Sequence, residues 1–224
     1  MSVNGVKMVP VDGVKIQQDL IKNIVKNDDK TTVVLQDGTT VSYGAQKTEN
    51  ANISKNGDGL IVFKNLYGAS IKGTDNDDKY KIWCGSDIDV YTDDGNDTID
   101  TWGLEKSRIA SGAGNDEIKV GFGDAISINS GSGEDKVSIN GLYGGKVFNA
   151  ESVIPYASER VHILGNNKTT KVHADSDIRM KVELLPNLKD STIEGVPKEN
   201  VNVFYLKNVE IKASAESAGK KEIQ

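Results

Sequence analysis

The sequence predicts an all-β fold, a parallel β-solenoid of about 19 residues per coil with a short N-terminal capping helix. Three observations lead there. Asp78, Asp97, Asp116 and Asp135 recur with a single constant spacing, one to each coil. Apolar columns keep that register, with Tyr80, Ile99, Ile118 and Val137 two places after each aspartate and Ile71, Val90, Ile109, Ile128 and Val147 late in each unit. The composition is 37% hydrophobic and 6% aromatic with 23 glycines in 224 residues, a thin supply for a compact globule. A solenoid needs less, because each coil buries its face against its neighbours.

Taken in order, residues 1–30 form an N-terminal cap. Within them VKIQQDLIKNIV, residues 14–25, sets Ile16, Leu20 and Ile24 with Ile21 and Val25 along one helical stripe, and the polar KNDDK that follows stops it. Residues 31–72 switch to short β-rich runs broken by Asp-Gly and Asn-Gly turns, lead-in coils in which Ile61 and Phe63 precede Tyr80 and Ile82 by one full repeat and Ile53 precedes Ile71 by one place less. Residues 73–140 carry the regular repeats, two strands to each unit. In residues 141–212 the column Ile163, Val182 and Val201 keeps the repeat spacing, but Pro155, Pro186 and Pro197 interrupt it and no acidic loops occur. That segment reads as irregular, metal-free coils or a C-terminal cap. Residues 213–224 have no apolar period and read as a disordered tail.

Charge and composition narrow the function classes. A formal charge of −6 disfavours nucleic acid, which needs a concentrated basic surface, and favours cations. The single cysteine, Cys84, can make no internal disulfide. The start MSVNGVKMVPVDGVK has no apolar signal core, and no run approaches the ~20 apolar residues of a membrane span. The expectation is a secreted or extracellular protein, exported without a cleavable Sec signal and not inserted in a membrane.

The chemistry lies in the repeat loops. Three of them read Asp93-Asp-Gly-Asn-Asp97, Gly112-Ala-Gly-Asn-Asp116 and Gly131-Ser-Gly-Glu-Asp135, each followed by x-apolar-x. Before them Thr74-Asp-Asn-Asp-Asp78 holds the register with Asn76 in the place of Gly95, Gly114 and Gly133. Glycine permits the turn that points carbonyls to one side, and the aspartate adds a hard charged oxygen. Calcium takes six to eight oxygens at ~2.3–2.6 Å, more than one loop supplies, so loops on adjacent coils would share each ion. Nine aspartates fall within residues 73–100, a density that costs stability unless a cation offsets it. The metal-free reading has Asp and Gly simply making tight turns, each aspartate bonding its own backbone. No run fits an EF-hand loop.

These loops resemble the nonapeptide of the RTX (repeats-in-toxin) family, G-G-x-G-x-D-x-U-x, over about 65 of the 224 residues. The resemblance implies Ca²⁺ bound between the loops ending at Asp78 and Asp97, Asp97 and Asp116, and Asp116 and Asp135, and type I export with folding in external calcium. It also implies loops at both edges of each coil. Here the opposite edge reads Asp87, Lys106, Ala125 and Gly144, and a lysine there would repel an ion, so the row is one-sided.

Elsewhere, Trp83 and Trp102 lie one repeat apart in an outward phase, either an aromatic ladder or a glycan-stacking pair. His162, His173 and Cys84 have no catalytic spacing, and GLYGG at 141–145 is a turn rather than a phosphate loop. No catalytic residue is assigned. The leading function is a calcium-binding, non-enzymatic scaffold whose partner is a host protein or glycan. The alternatives are a polysaccharide lyase or epimerase, which Arg108, Arg160 and Arg179 serve poorly because they share no column, and an adhesin or effector-like module without metal.

Overall fold

The computed structural model describes residues 6–46 and 50–150 with their side chains and, beyond them, the backbone of seven strands between residues 152 and 212. Among the described residues there is no α-helix, and no helix long and apolar enough to cross a membrane.

The expected N-terminal helix is replaced by strands. β1 (Met8–Val11) and β2 (Val14–Gln17) form an antiparallel hairpin about Asp12 and Gly13, whose φ values of 44° and 89° suit a two-residue turn. One 3₁₀ turn (Gln18–Leu20) then leads to β3 (Ile21–Lys26). The physical reason lies in burial: Ile16 is fully buried and Leu20 half-buried, but Ile24 and Val25 are 36% and 45% exposed, so the supposed stripe never shares one face. Five of the six apolar residues in the segment are β-branched and sit comfortably on a pleated surface.

β3, β4 (Thr31–Leu35) and β5 (Thr40–Tyr43) make an antiparallel meander, and β6 (Asn52–Lys55) and β7 (Ile61–Tyr67) a hairpin. β5 lies antiparallel on β8 (Ala69–Lys72), pairing Val41 with Ile71. β6 covers β7, pairing Ile53 with Phe63, and β2 lies parallel on β6 through Ile16 and Ile53. Ile53 therefore does not stack on Ile71 as its offset of nearly one repeat suggests, and β4, β5 and β6 belong to antiparallel pairs rather than to lead-in coils. They perform the capping role expected of the helix, closing the edges of the first coil. A buried hydrogen bond between Thr39 Oγ1 and the Tyr80 hydroxyl, 2.8 Å, ties this cap to the second coil.

The solenoid proper begins with β7 and β8. β9 (Lys79–Ser86) and β10 (Asp89–Tyr91), β11 (Thr98–Glu105) and β12 (Arg108–Ala110), β13 (Glu117–Val120) and β14 (Gly123–Asn129), and β15 (Lys136–Ile139) and β16 (Leu142–Phe148) follow as further coils. Each strand pairs in parallel with its counterpart on the next coil: Ile61, Tyr80, Ile99, Ile118 and Val137 form one ladder, and Ile71, Val90, Ile109, Ile128 and Val147 another. All ten side chains are buried, at an inter-coil rise of ~4.8 Å.

A second periodicity, of two coils, fills the corner between the paired strands. There the pairs are Leu66 and Ala69, Gly85 and Ile88, Leu104 and Ser107, Gly123 and Ile126, Leu142 and Gly145. A large residue at one place meets a small one at the other, and the order reverses on each coil. A Cβ on Gly123 would lie 2.2 Å from Ile126 Cδ1, and one on Gly85 2.5 Å from Ile88 Cδ1. Interdigitation of this kind gives an interior of organic-crystal density from few apolar residues.

At the opposite edge Gly68, Asp87, Lys106, Ala125 and Gly144 all have left-handed backbone, with φ from 47° to 70°. This column makes the reverse turn of every coil, so its backbone conformation is shared although its residue types differ. A non-glycine residue costs roughly 1–2 kcal/mol there. Ala125→Gly, at an exposed position, should raise stability by about 0.5 kcal/mol once the extra unfolded-state entropy of glycine is counted, and denaturant midpoints of the two proteins would detect it.

Beyond residue 150 parallel stacking continues with an uneven period. Val137 pairs with Val153, Val147 with Ile163, and Val153 with Val172, while the expected pair Val182 and Val201 is in register. Ile163 therefore stacks directly on Val147, from a coil shorter than those before it, rather than heading a column of its own. Residues 213–224 lie outside the described residues.

Candidate metal-binding loops

Each repeat loop closes by hydrogen bonds to its neighbours as well as within itself. The Asp78 amide donates to Asp97 Oδ1 at 2.8 Å, the Asp97 amide to Asp116 Oδ1 at 2.8 Å, and the Asp116 amide to Asp135 Oδ1 at 3.0 Å. The four aspartates are thus drawn inward and are at most 6% exposed. The turn reading expected them to bond their own backbone; instead, Asp97, Asp116 and Asp135 each accept from the preceding coil. A parallel outer ladder runs beside them, in which the amides of Asn96, Asn115 and Glu134 donate at 2.8 Å to the side-chain oxygens of Asp77, Asn96 and Asn115. An inner hydroxyl ladder joins Thr92 and Ser111 to the carbonyls of Ser111 and Ser130, both at 2.9 Å.

The amide-to-carboxylate ladder uses one oxygen, Oδ1, of Asp97 and of Asp116. Oδ2 of Asp97 and of Asp116 is buried without a hydrogen-bond partner. Such groups are rare in native interiors, because a desolvated charged oxygen loses its water and gains nothing. Burial pushes the Asp97 carboxyl up to about 6, against the Thr92 side chain and the Asp78 amide, which lower it; the neighbouring Asp116 and Asp78 charges raise it further. Asp78 is raised too, chiefly by burial. It differs from the others, however: Thr74 donates its amide to Asp78 Oδ2 at 2.8 Å and its hydroxyl to Oδ1, so a local turn closes this carboxylate.

The glycines answer to packing. Gly112, Gly114, Gly131 and Gly133 have φ between 87° and 144°, and a Cβ on any of them would fall within 1.8 Å of a carbonyl oxygen of the preceding loop. Only glycine lets the loops approach to one coil spacing. Gly95 stacks likewise on the Asn76 backbone, but Asn76 keeps ordinary backbone and bonds Thr74 Oγ1 through its amide. Asp93 fills the first glycine place with a φ of 65° and turns its carboxylate outward to Lys72 Nζ, 3.2 Å away. Its side chain is therefore apart from the buried row, although its carbonyl accepts from the Ala113 amide.

Among the described residues no three His, Cys, Asp or Glu side chains converge as a metal site. One buried carboxylate per loop and backbone carbonyls are what the row offers. Those are hard oxygens, the donor type calcium prefers, and carbonyls that already accept one hydrogen bond keep a second lone pair.

Trp83 and Trp102 pair in register on β9 and β11 and are 42% and 44% exposed, as their phase predicts. Cys84 is half-buried with a φ of 55°, in a bend it shares with Asn65 and Gly103. His162 and His173 fall in the strands Glu159–Leu164 and Lys171–His173, their side chains outside the described residues. Arg108 sits on β12, away from the tryptophan strands, and Arg179 lies outside the described residues. Two elements escaped the sequence reading. The outer ladder was visible as the recurrence of Asp77, Asn96 and Asn115 once per repeat, whereas the mixed residue types of the Asp87, Lys106, Ala125 and Gly144 edge gave no sign of its shared left-handed backbone.

Comparison with known proteins found no matching family model, no similar curated protein and no similar solved structure.

Proposed function

We propose that the protein is a calcium-binding β-solenoid of the RTX kind, acting outside the cell as a non-enzymatic scaffold whose ions stiffen the coil stack. The observation that carries this reading is the buried, unpartnered Oδ2 on Asp97 and Asp116 in consecutive loops. A divalent cation between those loops would supply the missing partner and offset the repulsion of carboxylates one coil apart. Asp97, Asp116 and Asp135 would hold it with loop carbonyls of residues such as Gly95 and Gly114. Asp78, already closed by Thr74, is the least suited, which reduces the row from three shared sites to two. Weak extracellular-type sites fill at the calcium levels found outside cells.

Asp116→Asn tests this directly, since its amide oxygen can still accept from Asp97 while the charge and the free carboxylate oxygen are lost. Calorimetric titration of the parent with calcium should show saturable binding and a raised melting temperature at 100 times Kd, worth about 2.7 kcal/mol per site. The variant should keep its β circular dichroism and lose both effects. A parent indifferent to calcium and chelator, or a variant that binds as the parent does, rejects the reading.

A further inference from the structure

One sheet face runs unbroken from the cap onto the coils, and it is basic and aromatic in an otherwise acidic protein. Strand pairing sets Pro10, Lys15, Asn52, Lys64, Trp83 and Trp102 side by side in one row, crossing β1, β2, β6, β7, β9 and β11. The next row starts on β6 and reaches on to β13 and β15, and it holds Ser54, Val62, Lys81, Asp100, Lys119 and Ser138. Two clefts open on this face. One of about 820 Å³ is lined by Lys15, Lys55 and Lys64 with Met8 and Pro10; the other, about 380 Å³, by Lys81, Trp83, Trp102 and Lys119. Among the described residues their only acidic lining group is Asp100, neutralised by Lys81 Nζ at 3.0 Å. Lys119 is likewise paired, with Glu117 at 3.1 Å, so the five lysines of the two clefts meet two carboxylates, still the reverse of the whole chain, whose charge is −6.

The aromatic groups are held in place. The ammonium groups of Lys64 and Lys81 lie 5.7 and 5.4 Å from the Trp83 ring centroid. Trp102 lies over Gly121, where a Cβ would come within 2.1 Å of its ring, and Phe122 meets the ring edge-on at 5.1 Å. The indoles are thus set along the sheet with over two-fifths of their surface open.

We propose that this face is a docking groove for a linear acidic polysaccharide. Trp83 and Trp102 stack on sugar rings, Lys15, Lys55 and Lys64 meet uronate or sulfate groups, and Asn52, Ser138 and Asn140 bond hydroxyls. Charge complementarity selects the occupant. The lysines are separated along the solenoid axis by one or two coil spacings, ~5–10 Å, and alternate with neutral hydrogen-bonding groups. That suits a polymer with one charge per sugar better than a nucleic acid, which carries one charge per ~1.7 Å of duplex and favours a denser basic stripe. The groove shares no residue with the loop row, so the proposal stands apart from the metal reading.

Trp83 and Trp102 are the only tryptophans, so tryptophan fluorescence, excited selectively over the seven tyrosines, reports this face alone. The probes are a hexamer of galacturonate, a heparin hexasaccharide, a neutral cellohexaose and single-stranded dT₁₂, each titrated at two salt concentrations. The expected result is saturable binding of an acidic hexamer that weakens with salt and is at least 10-fold tighter than that of cellohexaose. Whether the uronate or the sulfated probe binds more tightly identifies the source of the charge. Trp102→Ala, followed by calorimetry, and Lys15→Gln with Lys64→Gln should each weaken binding about 10-fold with unchanged circular dichroism. Tyr91→Ala, an exposed aromatic on β10, should bind as the parent does. Asp116→Asn should bind as the parent does as well, which separates this test from that of the metal sites. The proposal is overturned if neither acidic hexamer binds, if dT₁₂ binds more tightly than both, or if Trp102→Ala leaves affinity intact.

Discussion

Gly123→Leu should lower the stability of the protein by roughly 3 kcal/mol, and adding Ile126→Ser should return about 2 kcal/mol of that loss. The corner of the coil accepts one large side chain per level, and on the level of Gly123 the Ile126 side chain occupies the space. The double variant copies the arrangement one coil earlier, where Leu104 and Ser107 fill the same corner. Gly123 is not among the left-handed glycines, so a side chain is opposed by packing and not by its backbone conformation. Urea unfolding of the parent, both single variants and the double variant measures the coupling. A double variant no more stable than Gly123→Leu would mean that the fit of one large side chain against a small one within a level is not what limits the corner.

Without calcium, the protein should be more stable at pH 4 than at pH 7, by on the order of 2–3 kcal/mol. The Asp97 carboxyl stands at about 6 in the folded protein against 3.8 as its ordinary value. Between those values the folded chain holds a proton that the unfolded chain has released, so stability falls as pH rises through the window. Asp78, also raised, adds to the same trend. Asp12 works the other way: hydrogen bonds from Thr31 and Lys26 lower its carboxyl, and its contribution is lost only as pH falls below the ordinary carboxylate range. Calcium should restore stability at pH 7 and add little at pH 4, where a proton competes for the same oxygen. Asp97→Asn should flatten the metal-free profile between pH 4 and 6. Melting temperatures across that range, with calcium and with chelator, give all three results; a metal-free profile that rises from pH 4 to 7 would count against the buried row as its cause.

The two experiments probe different parts of the molecule. The corner-swap concerns the coil stack, which the pairing register establishes. The pH profile concerns the row of aspartates, whose occupant is proposed. A protein that passes the first and fails the second would still be a β-solenoid, held at its loops by hydrogen-bonded ladders and packed glycines alone.

The regular recurrence of aspartates and apolar residues determined the coil, its two strands, its parallel stacking and the outward phase of Trp83 and Trp102, because a repeat that must bury one face on its neighbour leaves its period in the chain. Tertiary structure decided the rest. Residues 14–25 satisfy helical and strand periods nearly equally, and partners on β4 and β6 settled the matter in favour of strands. Ile53 precedes Ile71 by almost one repeat, yet a hairpin carried it to Phe63 instead, since spacing cannot distinguish a coil from a turn back. The inward path of the aspartates, the closing of Asp78 by Thr74 and the lysine–tryptophan face were equally beyond the sequence. The first and last join residues from different strands, and no local pattern encodes which strands meet. Period is a property of the chain; register between an irregular cap and a regular stack is set only when both have folded against each other.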